Sequence, residues 1–377
     1  MLAVALLFVS FAMPAALLGV MWPEIRVRFG QSLGTLGLVG FAYGATRMAT
    51  CSSARFFTRR FGMHRSVIGA STGLVLACGA LAAAQSWSGF LAAVAAVGMA
   101  SGALDSLGAS FITRLGDITR AGLIHGSYGV GATIAPLVAG ITGNWRVTMA
   151  VVALWGVGVL GLVTSTRAGW PGEGSHHDEP AHNGANLAAG AVVLTLSLYA
   201  VFVGLEVTVG TWSHTYLTDQ RGLSGRVASL GVSAFWGGIT LGRLSLSRPA
   251  VARMVSRLTL PSFAVAALAF LASLTFVPAA AGVVVLLLVG LSLAPVIPSL
   301  LASTARRLGA RHAERMAGYQ LIAANVGAIG GPSITGALVA GSGPGIVLVV
   351  ALALSMAGVV LLSGTGGSGP NRPVTGP

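Results

Sequence analysis

Residues 1–22 read MLAVALLFVSFAMPAALLGVMW, twenty-two positions without one charged side chain. A helix needs about 20 predominantly apolar residues to cross a bilayer. A secretory leader would carry a basic segment ahead of its apolar run; this stretch has none and reads as a first membrane span. The whole chain repeats the pattern. Its 377 residues are 54% hydrophobic and 8% charged, with mean hydropathy +0.84. Soluble domains carry about 25% charged residues, so the composition cannot clothe a water-facing surface. The 54 glycines suit close helix packing in lipid. An outer-membrane barrel would alternate in segments of about ten residues, half the length of the apolar runs here.

Twelve spans follow along the chain: 2–22, 33–53, 66–86, 88–112, 121–141, 146–166, 188–212, 227–246, 258–277, 280–302, 316–340 and 345–363. The fold class is therefore an all-α integral membrane protein. Its arginines set the orientation, since basic residues collect in cytoplasmic connections. With the N-terminus inside, sixteen arginines fall on the cytoplasmic side, among them Arg55, Arg59, Arg60, Arg65, Arg114 and Arg167. Five fall outside: Arg26, Arg28, Arg146, Arg221 and Arg226. Both termini are then cytoplasmic. Trp22, Trp87, Trp145, Trp170 and Trp212 lie near span ends, where interfacial tryptophans belong.

The net charge of +13 does not mark a nucleic-acid partner, because the arginines are scattered between apolar runs without a basic face. Cys51 and Cys78 have no ligand spacing, so neither a disulfide nor a metal is implied. The polar stretch RAGWPGEGSHHDEPAHNGAN (167–186) contains His176, His177 and His182 but reads as a solvated linker. GTGGSGPNRPVTGP (364–377) reads as a disordered tail. The expected organisation is a six-helix bundle over 1–166, a cytoplasmic linker over 167–187, a second bundle over 188–363 and the tail. The halves echo each other: LGLVGFAYG (36–44) aligns with LGVSAFWGG (230–238) at an offset of 194, and GSYGVGATIAPLVAG (126–140) shares its Gly…Pro…Gly rhythm with ANVGAIGGPSITGAL (324–338). Secondary transporters are built from such repeats, with the site between them.

Twelve spans in a 6+6 repeat with a polar central linker resemble the major facilitator superfamily over essentially the whole chain. Three stretches resemble its fucose-permease-like branch of sugar–proton symporters: IHGSYGVGATIAPL (124–137), YAVFVGLEVTVGTWSHTYL (199–217) with FWGGITLGRL (235–244), and GLSLAPVIPSL (290–300). The superfamily's loop after span two reads Gly-x-x-x-Asp-Arg-x-Gly-Arg-Arg. Here RFFTRRFGMHR (55–65) keeps Arg60, Gly62 and Arg65 but carries Arg55 at the glycine and Arg59 at the acid. That acid helps lock one conformation in the family. Gly242 and Arg243 belong to the corresponding stretch after span eight. The arginine common in span four of relatives is absent, and the span carries Asp105 instead.

An acid inside a span costs free energy and marks a functional site unless a partner neutralises it. Asp105 has Ser101, Gly102, Gly108 and Ala109 on its helical face. It is either a proton-binding carboxylate or a structural acid paired with Arg47 or Arg114. Glu206, flanked by Phe202, Val203, Val209, Gly210 and Tyr199, is a coupling or substrate acid or a buried structural one. The resemblance places span seven on the central cavity. His125, beside Tyr128 and Gly129, relays protons or contacts the short loop. Arg47 neutralises Asp105 or binds an anionic group. Tyr43, Tyr199, Phe202, Trp236, Gln320 and Asn325 complete the cavity candidates, with packing the alternative for the aromatics and helix bridging for Asn325. Gly37, Gly40 and Gly44 form one stripe, Gly98/Gly102 and Gly327/Gly331 are small-residue pairs, and Gly131 lies in the Gly-rich span five; all read as helix crossings. Pro136 and Pro332 interrupt spans five and eleven.

No nucleophile–base pair, metal cluster or phosphate loop appears at usable spacing, so the chain is not read as an enzyme and needs no cofactor. The expected function is a secondary transporter in a bacterial plasma (inner) membrane, monomeric, carrying a small polar solute, a sugar by resemblance, with protons. Efflux of amphipathic compounds by antiport is the alternative, and a non-transporting receptor the third reading.

Overall fold

The computed structural model describes residues 1–51, 53–115, 118–166, 170, 189–246, 248–256, 258, 260–308 and 310–363. The described residues form fifteen α-helices and no strand: α1 Leu2–Arg28, α2 Leu36–Thr50, α3 Ala54–Phe61, α4 Met63–Ala83, α5 Trp87–Leu115, α6 Ile118–Thr142, α7 Trp145–Ser165, α8 Ala189–Thr215, α9 Gly225–Ser245, α10 Pro249–Ser256, α11 Leu260–Ser273, α12 Gly282–Leu293, α13 Val296–Leu308, α14 Ala310–Ser342 and α15 Ile346–Ser363. Eight helical stretches are long and apolar enough to cross a membrane by themselves. The protein is a multi-pass membrane protein.

Several boundaries differ from the sequence reading. The stretch 280–302 is not one helix: Pro295 separates α12 from α13, because it has no N–H to donate and its ring clashes with the preceding turn. The helix following Leu260 stops at Ser273, ahead of Pro278. The arginine-rich connections after α2 and α9 are not loops but the short helices α3 and α10. Gly62 makes the corner between α3 and α4 at φ 77°, which a Cβ would strain. Trp22, Trp145 and Trp212 do sit near helix ends, yet they are buried in protein rather than turned to lipid. Trp22 Nε1 donates to Leu33 O and Trp212 Nε1 to Pro332 O, so their polar edges are used inside. Within the 167–187 stretch only Trp170 is described; its ring lies 5.7 Å from His64 and 5.5 Å from Phe111. His176, His177 and His182 and the 364–377 tail lie outside the described residues.

The helices after the linker repeat the partners of those before it. α1 packs on α6 as α8 does on α14, α2 on α5 as α9 on α12, and α4 on α7 as α11 on α15. Left-handed glycines recur with the same logic: Gly30 follows α1 as Gly222 follows α8, and Gly143 precedes α7 as Gly343 precedes α15. Contacts between the two sets run through α6 with α9, α2 with α14, and α1 with α8.

Lipid tails are as apolar as leucine, so burial from water does not drive these contacts; close backbone approach does. Gly327 lies on the Ala200 carbonyl, Gly331 on Thr208 and Gly204, and Gly131 on Val9. Gly37 meets Ser333 and Gly336 across the α2–α14 seam, and Gly44 meets Ile329. Gly98 and Gly102 let α5 touch the Tyr43 and Arg47 carbonyls of α2. Gly40 is different, with no foreign atom within 4 Å of a built Cβ. Pro136 and Pro332 sit inside the continuous helices α6 and α14.

Gly327→Val forces α14 away from α8 and should cost about 1–3 kcal/mol, as overpacking typically does. The expected outcome is a melting temperature several degrees lower in detergent for that variant, with Gly40→Ala unchanged. Tryptophan fluorescence on heating reads both.

Candidate functional site

The close α2–α5 packing brings a cation and an anion together. Asp105 lies on the same α5 face as Gly98 and Gly102, and those two glycines admit the α2 backbone. Thr50 Oγ1 reinforces the contact by donating to Met99 O at 2.9 Å. Arg47 Nη2 then reaches Asp105 Oδ2 at 2.6 Å. The side chains keep 22% and 26% of their exposure, so the pair is only partly enclosed. Tyr43 lies beside Ser101, within electrostatic reach of both charges.

The second set of helices holds a second pair. Arg243 of α9 donates from Nη2 to Glu206 Oε2 of α8 at 2.8 Å. Here the acid is the more enclosed partner, at 12% exposure against 36% for the arginine. Arg243 Nε is buried with no hydrogen-bond partner. Tyr128 of α6 lies within electrostatic reach of Arg47, Tyr43, Asp105 and Glu206. Its ring packs on Phe11 at 5.6 Å.

Both contacts are end-on. A guanidinium has five N–H donors and a carboxylate about four acceptor sites. One bond per pair satisfies the charge and leaves further donors and acceptors for a ligand. Chemically the arrangement can bind a polar molecule through charge-assisted hydrogen bonds.

The other sequence candidates divide. Trp236 stacks its indole over Gly210, edge-on to Phe235, and its Nε1 is buried without a partner. The Tyr199 hydroxyl is likewise buried and unpartnered. Phe202 points away from the pairs, with its ring against Gly358 of α15. Gln320 Nε2 donates to Thr304 Oγ1 at 2.7 Å and ties α14 to α13. Asn325 Nδ2 donates to Leu321 O on its own helix. His125 falls in α6, and its side chain lies outside the described residues, as does that of Arg114. Gly242 abuts Ala294 at the α12–α13 break. Arg60 and Arg65 are exposed at the end of the bundle, on either side of Gly62.

Sequence reasoning missed two things. Arg243 was counted with the basic connection after span eight, yet α9 runs on to Ser245 and the side chain folds inward to Glu206. The signal was available: an embedded acid needs a cation, and Arg243 stands at the inner end of a neighbouring span. The second is Arg26–Asp219 at 3.4 Å, an ion pair joining α1 to the π-helical turn Tyr216–Gln220 after α8. Nothing in the sequence links positions 193 residues apart.

The profile of the Major Facilitator Superfamily matches residues 3–332. The chain belongs to the major facilitator superfamily. Membership makes it a transporter and not an enzyme. Solved structures of this superfamily member's fold are distant in sequence. A point mutant of the nucleoside transporter NupG is 14% identical, with 97% of this chain and 99% of that one covered at a TM-score of 0.76. A D-xylose–proton symporter is 13% identical, with 96% of each chain covered and a TM-score of 0.72. A bacterial homologue of the human lysosomal transporter Spinster, inward-facing and occupied, is 16% identical over 96% of this chain and 93% of that one, at 0.69. No curated protein sequence matches significantly.

Removing one member of an enclosed pair strands its partner's charge, which costs 3–5 kcal/mol when fully buried. With about a quarter of each side chain exposed here, a loss of about 1–3 kcal/mol is expected once solvent screening is allowed for. Arg47→Gln alone should therefore lower thermal stability more than Arg47→Gln combined with Asp105→Asn. A double-mutant comparison of melting temperatures checks this.

Proposed function

We propose that the chain is a proton-coupled secondary transporter of a small polar solute, a sugar in the first instance, working by alternating access in the plasma membrane of a bacterium. The observation that carries this reading is the presence of two partly enclosed arginine–carboxylate pairs, one in each set of helices. An acid kept inside a membrane protein at a cost in free energy marks a substrate or proton path. In this reading the protein has twelve spans, six in 1–166 and six in 188–363, with both termini and the 167–187 linker in the cytoplasm, and works as a monomer. The sixteen-to-five arginine asymmetry supports the orientation.

Asp105 and Glu206 are the proposed coupling acids and Arg47 and Arg243 their counter-ions; His125 is retained as a relay. Tyr43, Tyr199 and Trp236 are the proposed hydrogen-bonding and stacking groups for the solute, whereas Phe202 and Gln320 are proposed to hold helices together and Asn325 to bond back along its own helix. A proton arriving at Asp105 cancels its charge and frees Arg47 to bind a solute oxygen; departure of both restores the pair. The ends of the seams support one phase of the cycle: Arg26–Asp219, Gly34 on Gly336 and Ser333 Oγ donating to Gly37 O close the face that the topology makes external.

Proteoliposomes loaded with a pH dye test the reading. One sugar among hexoses and deoxyhexoses should drive inward acidification, and Asp105→Asn or Glu206→Gln should abolish it while leaving binding measurable. Outward proton movement on adding an amphipathic cation would replace symport by efflux antiport, and ligand response without flux in any variant would indicate a receptor.

The external closure has its own test. Asp219→Asn removes the ion pair between the two sets of helices. In a Cys51→Ser, Cys78→Ala background, Ser333→Cys should then react severalfold faster with a membrane-impermeant maleimide than it does with Asp219 intact.

A further inference from the structure

Acidic side chains are scarce in this chain. It has nine against 22 arginines, and between Glu24 and Asp105 there is none. Helix α3, Ala54–Phe61, lies in the middle of that interval. Its eight residues, ARFFTRRF, contain three arginines and three phenylalanines. Thr58 is buried and seats the helix on the bundle, where α3 packs against α4 and α5. Phe56, Phe57 and Phe61 are all exposed, at 65%, 37% and 47%. Arg59 and Arg60 are exposed beside them, and no ion pair involves either among the described residues. The Arg60 guanidinium lies 5.8 Å from the Phe61 ring centroid. Arg65, one turn into α4, is also exposed.

A helix that exposes three phenylalanines and, beside them, two arginines without an ion pair among the described residues is poorly suited to water. It is suited to the edge of a bilayer, with the rings among the upper acyl chains and the guanidinia at the phosphates. The position of α3 enforces this. It joins α2 to α4, so it lies at their membrane ends, and the Gly62 corner turns the chain straight back into α4. The place of α3 at the membrane ends of α2 and α4 favours lipid over an acidic soluble protein, because a helix lying in the interface already meets acyl chains and phosphates together. A zwitterionic lipid would accept the rings but supply no net negative charge.

We propose that α3 is a binding surface for anionic phospholipid, with Arg59 and Arg60 on the headgroup phosphate and Phe57 and Phe61 inserted beside the acyl chains. The lipid phosphate supplies the counter-charge that the chain itself lacks over residues 25–104. Because only residues 48–53 separate Arg47 from α3, a lipid held there also fixes the end of the helix that carries the first ion pair. The binding surface stands whether or not the transport reading does.

Native mass spectrometry of the full chain, extracted into detergent with equal phosphatidylglycerol and phosphatidylcholine, tests it. An arginine held at the headgroup of a bound anionic lipid favours it by roughly fivefold, so wild-type protein should retain phosphatidylglycerol, and Arg59→Gln with Arg60→Gln should lose roughly tenfold or more of that preference. Arg59→Lys with Arg60→Lys should keep it. Phe57→Ser with Phe61→Ser keeps every charge and should lower retention of phosphatidylglycerol; this variant decides the matter if the glutamine pair does not fold. Arg226→Gln, at an exposed position on the other face, should change nothing. An unchanged lipid ratio in the glutamine pair, or displacement of the lipid by millimolar inorganic phosphate, would overturn the proposal.

Discussion

A charge in a membrane interior has to be neutralised where it stands, and this chain has few carboxylates with which to do it. Of its nine acids, Glu24, Asp105, Glu206 and Asp219 have described side chains, and all four are engaged. Glu24 accepts from the Trp145 backbone N–H, and the other three meet Arg47, Arg243 and Arg26. The arginines outside these pairs must look elsewhere. Arg146 and Arg221 turn to backbone: Arg146 donates to the Ala82 and Ala84 carbonyls and stacks on Trp145, while Arg221 bonds the Leu274 and Val277 carbonyls. These are the carbonyls that a helix end leaves open, so the scarcity of acids is partly met by the fold itself. Among the described residues, Arg59 and Arg60 have neither answer.

Glycine sets where those pairs can form. An arginine and an aspartate on neighbouring helices meet end-on only if the backbones come close enough. Gly98 and Gly102 provide that on the α2–α5 contact. Gly210 does the corresponding work for α8 and α9 by making room for the Trp236 indole. The pattern of small residues is thus part of the electrostatics, because the spacing of helices fixes the spacing of charges.

The overall architecture could be read because apolar length and the 194-residue echo are local properties of the sequence. Span ends were less legible, because proline and glycine act through three-dimensional detail: Pro295 splits a run that hydropathy alone presents as continuous. Asp105 with Arg47 was one of two pairings that the sequence left open, and distance decides it. Arg243 escaped because a long side chain at a helix end can belong to the loop or the interior, and residue counting assigns it by position alone. Trp22, Trp145 and Trp212 lie near helix ends, as the sequence suggests, but face protein, since composition cannot tell a protein-facing indole from a lipid-facing one.

The two kinds of ion pair differ in a way that matters for movement. Arg47–Asp105 lies wholly within the first set of helices and Arg243–Glu206 wholly within the second. Rocking one set against the other leaves both pairs intact, so no interior charge is stranded during the motion. Arg26–Asp219 spans the two sets and must break, yet it sits at an end, with 32% and 25% of its side chains exposed. Water can take over its hydrogen bonds there, and an exposed pair is worth about 0–1 kcal/mol. Under the proposed alternation, then, the one described ion pair that the motion breaks is the weakly bonded pair at the seam's end. In that proposed cycle the interior pairs would yield to protons and solute, which bring their own neutralising groups. That division keeps the conformational barrier low while leaving the interior chemistry responsive to what binds.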